Sequence, residues 1–185
     1  MPMSIELFFD LASETALRAL WNTLAEQDIC SVQSISGARP HLSLSVFESL
    51  PEARLHELLR RVAHDFAVMP FQFTALGHFP RSGVTFLAPK PTLALLQIQE
   101  RVHEELVRQK ATIWEHYTPA RWFPHCTLTM QAAPALLERI AQLADESSAL
   151  APATAASKQL ATLGLVRIQI QPVTQLAEYA LRHSQ

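Results

Sequence analysis

The chain has 185 residues, of which 49% are hydrophobic, with 15 basic and 17 acidic side chains. This length suits one domain or two small fused lobes, and the near-neutral charge argues against a long nucleic-acid groove. Two cysteines do not form a disulfide framework, and no stretch approaches the roughly 20 apolar residues of a membrane span.

The N-terminal region does not match a signal peptide. It has no basic start, and Glu6, Asp10 and Glu14 interrupt what would be its apolar segment. We therefore expect a reduced, cytoplasmic protein that does not contact a membrane and shows no evident protein partner.

The first half of the chain alternates β-rich and helical patterns. We expect strands over residues 4–10, 39–47, 71–76 and 84–88, and helices over residues 12–27 and 51–66. Ser13 is the predicted N-cap of the first helix. Gly77, Pro80 and Gly83 predict a turn between the last two strands.

The second half of the chain shows the same succession. We expect helices over residues 91–110 and 134–146, and strands over residues 122–130, 160–170 and 173–181, the last two joined around Pro172. Residues 147–158 are small and polar, which predicts a flexible loop. Each half therefore runs helix, strand, helix, strand, strand, which indicates an internal duplication at the level of elements.

A short motif occurs once in each half. Residues 39–47 read R-P-H-L-S-L-S-V-F, and residues 122–130 read W-F-P-H-C-T-L-T-M. Side chains alternate between the faces of a strand, so each motif is expected to place one histidine and two hydroxyl residues on a single face. These two sets are His41, Ser43 and Ser45, and His125, Thr127 and Thr129.

Two such histidines suit one kind of chemistry. An imidazole titrates near neutral pH, so one ring can act as a general base and the other as a general acid. A neighbouring hydroxyl can donate to a developing oxyanion. A phosphoryl group between the two pairs needs no metal ion, and neither motif supplies closely spaced metal ligands.

The doubled Pro-His-x-Ser/Thr motif resembles the two-histidine phosphoesterase superfamily, in particular the bacterial 2'-5' RNA ligase-like and cyclic-nucleotide phosphodiesterase proteins. The resemblance covers most of the chain and includes the segments 76–86 and 117–125. It implies that His41 and His125 are catalytic and that Ser43 and Thr127 bind phosphate. Ser43 stands where many members carry threonine, which keeps the hydroxyl.

The expected fold is α+β, with two pseudo-symmetric lobes whose antiparallel sheets line a central cleft and whose helices lie outside. Residues 1–185 would form one bilobal domain, with a His41 lobe and a His125 lobe. The two histidines would meet across the cleft.

The expected activity is metal-independent hydrolysis of a 2',3'-cyclic phosphate on a nucleotide or short RNA end, without a cofactor. The family resemblance assigns His41 as acid and His125 as base, although the pseudo-symmetric sequence does not distinguish them. Two alternatives remain open, namely 2'-5' ligation of the same RNA ends and non-catalytic binding of a nucleotide or RNA end.

Substrate contacts outside the motifs are harder to predict from sequence. Aromatic rings can stack on bases, and the candidates for this role are Phe79, Phe86, Tyr117 and Trp122. Guanidinium groups can hold a second phosphate, and the candidates are Arg39, Arg81 and Arg121. Cys126 is expected to face away from His125, so a thiol nucleophile is not expected.

Overall fold

A computed structural model of the chain describes residues 1–48, 50–150, 158–168 and 172–183. Its strands are β1 (Met3–Phe9), β2 (His41–Phe47), β3 (Met69–Pro70), β4 (Phe73–Phe79), β5 (Val84–Pro89), β6 (Cys126–Thr129), β7 (Gln159–Arg167) and β8 (Thr174–Ala180). Its helices are α1 (Leu11–Glu26), α2 (Val32–Ile35), α3 (Glu52–Asp65), α4 (Leu93–Arg108) and α5 (Leu137–Glu146), with 3-10 turns at Glu115–Tyr117 and Pro134–Leu136.

Within these ranges the strands form two antiparallel sheets. In the larger sheet the order is β2-β1-β7, and both β3 and β8 pair with the far edge of β7. The smaller sheet has the order β4-β5-β6. Each sheet contains one of the two motif strands, β2 or β6, and the expected mixed α+β fold is confirmed.

The strand pairs are exchanged between the two halves of the chain. β4 and β5 follow the first motif strand in sequence and pair with each other, yet β5 also pairs with β6. β7 and β8 follow the second motif strand, yet β7 pairs with β1 beside β2. Each half therefore completes the sheet of the other.

The apolar side chains of both sheets and of the longer helices share one core. Leu42 on β2, Leu128 on β6 and Leu163 on β7 all belong to it and are at most 1% exposed. Such burial is worth roughly 1.5–3 kcal/mol for each large side chain, so the shared core strongly couples the two sheets. None of the described helices combines the length and the apolar character needed to cross a membrane.

Some element ends differ from the sequence-based expectations. Asp10, rather than Ser13, caps α1, because its Oδ1 accepts the Ser13 N–H at 2.9 Å. The turn expected at Gly77 begins instead at Pro80, since β4 continues to Phe79.

The expected loop over residues 147–158 is only partly described. Residues 147–150 form a bend and turn after α5, and residues 151–157 lie outside the described residues. The expected connection around Pro172 likewise includes residues 169–171, which lie outside the described residues.

Candidate active site

His41 opens β2, and its ring orientation is set by its own backbone. Its Nδ1 lies 2.6 Å from the carbonyl oxygen of Arg39. A carbonyl can only accept a hydrogen bond, so Nδ1 carries the proton in this contact. The other ring nitrogen, Nε2, has no hydrogen-bond partner among the described residues, which leaves it for a substrate.

His125 directly precedes β6 and repeats this arrangement. Its Nδ1 lies 2.8 Å from the carbonyl oxygen of Phe123, again two residues earlier in the chain. Its Nε2 also lacks a hydrogen-bond partner within the described ranges. The two rings therefore present the same nitrogen, in the same tautomer, from different sheets.

Contacts between the two motifs bring the histidines near each other. The indole N–H of Trp122 donates to the carbonyl oxygen of Ser43 at 2.9 Å. The Cys126 thiol is close enough to the backbone of His41 for a hydrogen bond to act on its pKa. β2 and β6 also contact each other directly, so His41 and His125 lie on adjoining segments of the two sheets.

His125 lies among aromatic rings. The ring centroids of Phe79 and Phe86 are each 5.2 Å from its own centroid, Phe79 at an interplanar angle of 89°. Burial is the largest cause that lowers the pKa of His125 below its usual range. His125 is therefore neutral at pH 7, with a lone pair on Nε2.

His41 lies among charged groups instead. The carboxylate of Glu6 on β1 is almost fully buried, and its Oε2 is 3.5 Å from Nδ1 of His41. The Arg39 guanidinium lies 4.2 Å above the ring of Phe8 and forms ion pairs of 2.7 Å with Glu14 and with Glu178. The two histidines thus share an anchoring geometry but not an environment.

Ser43 and Thr127 are half-buried on the faces that carry the histidines. Ser43 pairs with Glu6 across β1 and β2, and Thr127 pairs with Phe86 across β5 and β6. Burial raises the pKa of Tyr117, and a hydrogen bond with the Ser43 side chain opposes the rise, which places that phenol beside Ser43.

The expected alternation ends at these two residues. The register of β2 shifts between Ser43 and Ser45, so that Leu44 has no partner on β1, and the register of β6 shifts in the same way at Leu128. Ser45 and Thr129 are consequently turned to the opposite face. Both are 0% exposed, which corrects the expectation that they share a face with the histidines.

The remaining candidate residues are more scattered. Arg81 is exposed in the turn after Phe79, and Arg121 is exposed and forms an ion pair with Glu115 at 2.7 Å. Trp122 is half-buried, and its N–H is already bonded to Ser43. Phe79, beside His125, is the candidate most directly placed at the site.

The Cys126 thiol is poorly suited to act as a nucleophile. Burial raises the pKa of Cys126 to about 12, which keeps the thiol protonated. Among the described residues, no group of three or more His, Cys, Asp or Glu side chains is placed to hold a metal ion.

Three residues of the site were not expected from the sequence, namely Glu6, Phe8 and Phe123. A signal existed for Glu6, because a carboxylate within the apolar stretch I-E-L-F-F is unusual for a buried strand. Phe8 and Phe123 carried no such signal, since an aromatic residue beside a strand is ordinarily part of a core.

Comparison with known proteins gives one family and one fold. The sequence profile of the 2'-5' RNA ligase superfamily matches residues 11–167. No curated protein sequence matches the chain significantly. The crystal structure of E. coli LigT with 3'-AMP has a TM-score of 0.62 at 15% identity, with 98% of each chain covered. TT0787 of Thermus thermophilus has a TM-score of 0.60 at 18% identity, with 100% of each chain covered. At these identities the two structures show a shared fold.

Proposed function

The chain belongs to the 2'-5' RNA ligase superfamily, and we propose that it hydrolyses 2',3'-cyclic phosphates without a metal ion. The proposed substrate is a nucleotide or a short RNA end, acted on by residues 1–185 as one bilobal domain in the cytoplasm. One observation carries the proposal: both imidazoles donate Nδ1–H to the carbonyl two residues earlier, and both keep Nε2 for the substrate.

The roles of the histidines follow from their surroundings. His125 is neutral among aromatic rings, so its Nε2 takes a proton from water as the water oxygen attacks phosphorus. His41, whose Nδ1 lies 3.5 Å from a carboxyl oxygen of Glu6, takes the role of the general acid in this proposal. Its Nε2–H protonates the ribose oxygen as the P–O bond breaks, and the product is a phosphomonoester.

Hydroxyl groups stabilise the charge that builds on the phosphoryl oxygens. Ser43 follows His41 by two residues on the same strand face, about 6–7 Å along the strand, and Thr127 has the same relation to His125. We propose that each hydroxyl donates to a non-bridging oxygen, where the charge is greatest in the transition state.

The base of the substrate is proposed to stack beside His125. Phe123 is 49% exposed, and its ring lies at 6.2 Å from that of Phe79, so the two rings form an apolar surface next to the catalytic nitrogen. Stacking on such a surface tolerates every base. We retain Arg81 and Arg121 as proposed contacts for a further phosphate, and the ring face of Trp122 as a proposed substrate contact.

Nucleotide binding by a protein of the same fold supports this choice of substrate. E. coli LigT has been crystallised with 3'-AMP, with ATP, with NADP+ and with phosphate. We propose that the cleft of this chain likewise accepts a nucleotide.

The decisive test is hydrolysis of 2',3'-cyclic mononucleotides and of a short RNA with a cyclic-phosphate end, in EDTA. The parent is compared with His41→Ala and His125→Ala, and we expect each variant to lose at least about a hundredfold in kcat. Arg108→Ala, on the exposed end of α4, serves as a control variant expected to retain activity. Parent activity that depends on an added divalent metal ion would contradict the scheme.

The same assay separates the alternatives. Inclusion of an RNA with a 5'-hydroxyl end reveals a ligated product if the site runs in the synthetic direction. Binding of the cyclic nucleotide without turnover, and with unchanged affinity in His125→Ala, would indicate a non-catalytic binder.

A further inference from the structure

The carbonyl that anchors His41 belongs to a residue outside the strand. Pairing between β1 and β2 ends at Phe8 and His41, so the strand ladder does not hold Arg39. The Arg39 oxygen nevertheless lies 2.6 Å from Nδ1 of His41. The direction in which the imidazole presents Nε2 therefore depends on what fixes the Arg39 backbone.

The Arg39 side chain binds two carboxylates from distant parts of the chain. Its Nε and Nη2 donate to Oε2 of Glu14 on α1, at 3.0 and 2.7 Å, and its Nη1 donates to Oε2 of Glu178 on β8 at 2.7 Å. The planar guanidinium suits such a fork, because its donors are held in a rigid geometry. One side chain therefore joins the segment before β2 to a helix and to a strand.

The Arg39 guanidinium also lies over the sheet face that carries His41. Its central carbon is 4.2 Å from the ring centroid of Phe8. Phe8 pairs with His41 across β1 and β2, and paired side chains share a face. A guanidinium above an aromatic ring is attracted by the ring face. A ring and two charges thus hold Arg39 next to the histidine that it anchors.

The two carboxylates are themselves held in place. Glu14 also accepts from Nε of Arg18 at 2.8 Å, and Glu178 accepts from the hydroxyl of Thr162 and the amide of Gln175, each at 2.8 Å. Burial opposes the change, yet hydrogen bonds lower the pKa of both carboxyl groups. Both ion pairs therefore persist at neutral and mildly acidic pH.

These contacts favour a structural use of the Arg39 guanidinium over phosphate binding. All three of its nitrogens donate to carboxylates, and the side chain is 23% exposed. Since two carboxylates already compensate its charge, little attraction remains for an incoming phosphate.

We propose that Arg39 is a positioning residue, whose side chain fixes the backbone carbonyl that holds the His41 ring and so directs Nε2 towards the substrate. A carbonyl accepts only from Nδ1–H, so a firmly held oxygen also selects the tautomer in which Nε2 carries the lone pair. This inference rests on the proposed function for its kinetic consequence. Its physical basis, a side chain that fixes a carbonyl in the free protein, does not depend on any substrate.

The first measurement is the tautomer of His41 in the free protein, from nitrogen NMR of the ring at about pH 9, where an ordinary imidazole is neutral. The parent should hold mainly the Nδ1–H tautomer. Arg39→Gln should move the population towards a mixture of the two tautomers. Arg39→Lys keeps the charge that the carboxylates need for folding but loses the fork, so it should give a smaller change in the same direction.

Arg101→Gln is the matched control. Arg101 is 30% exposed and likewise pairs with two carboxylates, Asp65 on α3 and Glu105 on α4. We expect its replacement to destabilise the protein in urea to a similar extent as Arg39→Gln and to leave the His41 tautomer unchanged.

The second measurement is turnover of a 2',3'-cyclic mononucleotide. A misdirected Nε2 impairs proton transfer but not the groups that bind the nucleotide, so Arg39→Gln should lower kcat by at least about tenfold and change KM by less than about twofold. Arg101→Gln should keep the parent kcat. A higher KM with unchanged kcat in Arg39→Gln would overturn the proposal in favour of direct phosphate binding, and equal losses of kcat in both variants would overturn it as well.

The two measurements separate this inference from the proposed function. Superimposed His41 signals in the parent, Arg39→Gln and Arg39→Lys would overturn the role of Arg39 whatever the turnover, and Arg39→Lys decides if Arg39→Gln does not fold. If the parent turns over no cyclic phosphate but the tautomer still changes, the proposed function fails and the role of Arg39 stands.

Discussion

His41 and His125 make the same hydrogen bond to their own backbone, but different residues surround the two rings. Both donate Nδ1–H to the carbonyl two residues earlier. Aromatic rings then desolvate His125, whereas a buried carboxylate accompanies His41. Desolvation lowers the pKa of His125 and so favours its neutral ring, which is the form that the proposed base requires.

Substitution of Phe79 tests whether the aromatic rings lower the pKa of His125 by excluding water. Phe79→Ser admits water beside His125, which should raise the pKa of the imidazole towards its usual value. The base must be neutral to act, so a higher pKa moves the acidic limb of the kcat/KM profile to higher pH, and the relative activity at pH 5 falls.

Phe79→Leu is the matched control, because it removes the ring but keeps the site apolar. Both variants should weaken substrate binding if the ring stacks on the base, and only the serine variant should move the acidic limb. An unchanged limb in Phe79→Ser would show that the ring does not set the titration of His125.

In two strands, a glycine leaves space for the aromatic ring of a neighbouring residue. A Cβ added to Gly77 on β4 would lie 2.4 Å from the ring of Phe86, and one added to Gly164 on β7 would lie 2.1 Å from the ring of Phe8. Phe86 contacts the ring of Phe123, and Phe8 carries the guanidinium of Arg39. Each glycine thus makes room for a ring that supports the residue whose carbonyl anchors a histidine.

We expect Gly77→Ala and Gly164→Ala to displace these rings. Overpacking of this kind costs about 1–3 kcal/mol in the free energy of unfolding, which urea denaturation measures. Turnover should fall as well, because the displaced rings no longer hold the anchoring residues.

Gly37→Ala is a control that separates the loss of stability from the loss of turnover. Gly37 has a φ of +75° and its nearest neighbour would be 3.5 Å from an added Cβ, so alanine strains the backbone there without displacing a ring. We expect it to destabilise the protein and to leave kcat unchanged. Full kcat in Gly77→Ala and Gly164→Ala would show that the rings serve stability alone.

Across the whole molecule, the two halves are interlocked. Each motif strand sits in a sheet completed by strands from the other half. Two tryptophans also connect the halves of the chain. Trp21 on α1 donates its indole N–H to the carbonyl of Thr127 at 3.0 Å, and Trp122 donates its indole N–H to the carbonyl of Ser43 at 2.9 Å. Each indole therefore holds the backbone of the hydroxyl residue in the opposite motif.

Replacement of these tryptophans by phenylalanine removes the N–H and keeps most of the apolar area. Trp21→Phe and Trp122→Phe should each cost roughly 1 kcal/mol in the free energy of unfolding, since a partly buried carbonyl loses its donor. They should also lower kcat, because Ser43 and Thr127 become less well held. Trp114→Phe is the matched control, as that indole binds the exposed Glu48, and equal effects in all three variants would contradict this role.

Much of the site was predictable because it is encoded locally. The Pro-His-x-hydroxyl motif and the helix and strand periodicities depend on residues within a few positions of each other. The predicted alternation of side chains between the two faces of each motif strand stops after Ser43 and after Thr127. Each strand shifts its register there against the neighbouring strand, and such a shift depends on distant residues. Gly77 lies within β4 rather than in the predicted turn for a similar reason, since the ring that requires a glycine there belongs to the next strand.

Local residue patterns specify most of the elements in order, the two motifs and the family to which the chain belongs. Tertiary packing specifies that the strand pairs are exchanged between the halves, that Glu6 lies beside His41 and that Phe79 and Phe86 surround His125. The physical reason is that element type follows from local propensity and periodicity, whereas these contacts join distant residues through burial of a shared core. The asymmetry between the two histidines therefore lies in the packing around two nearly identical motifs.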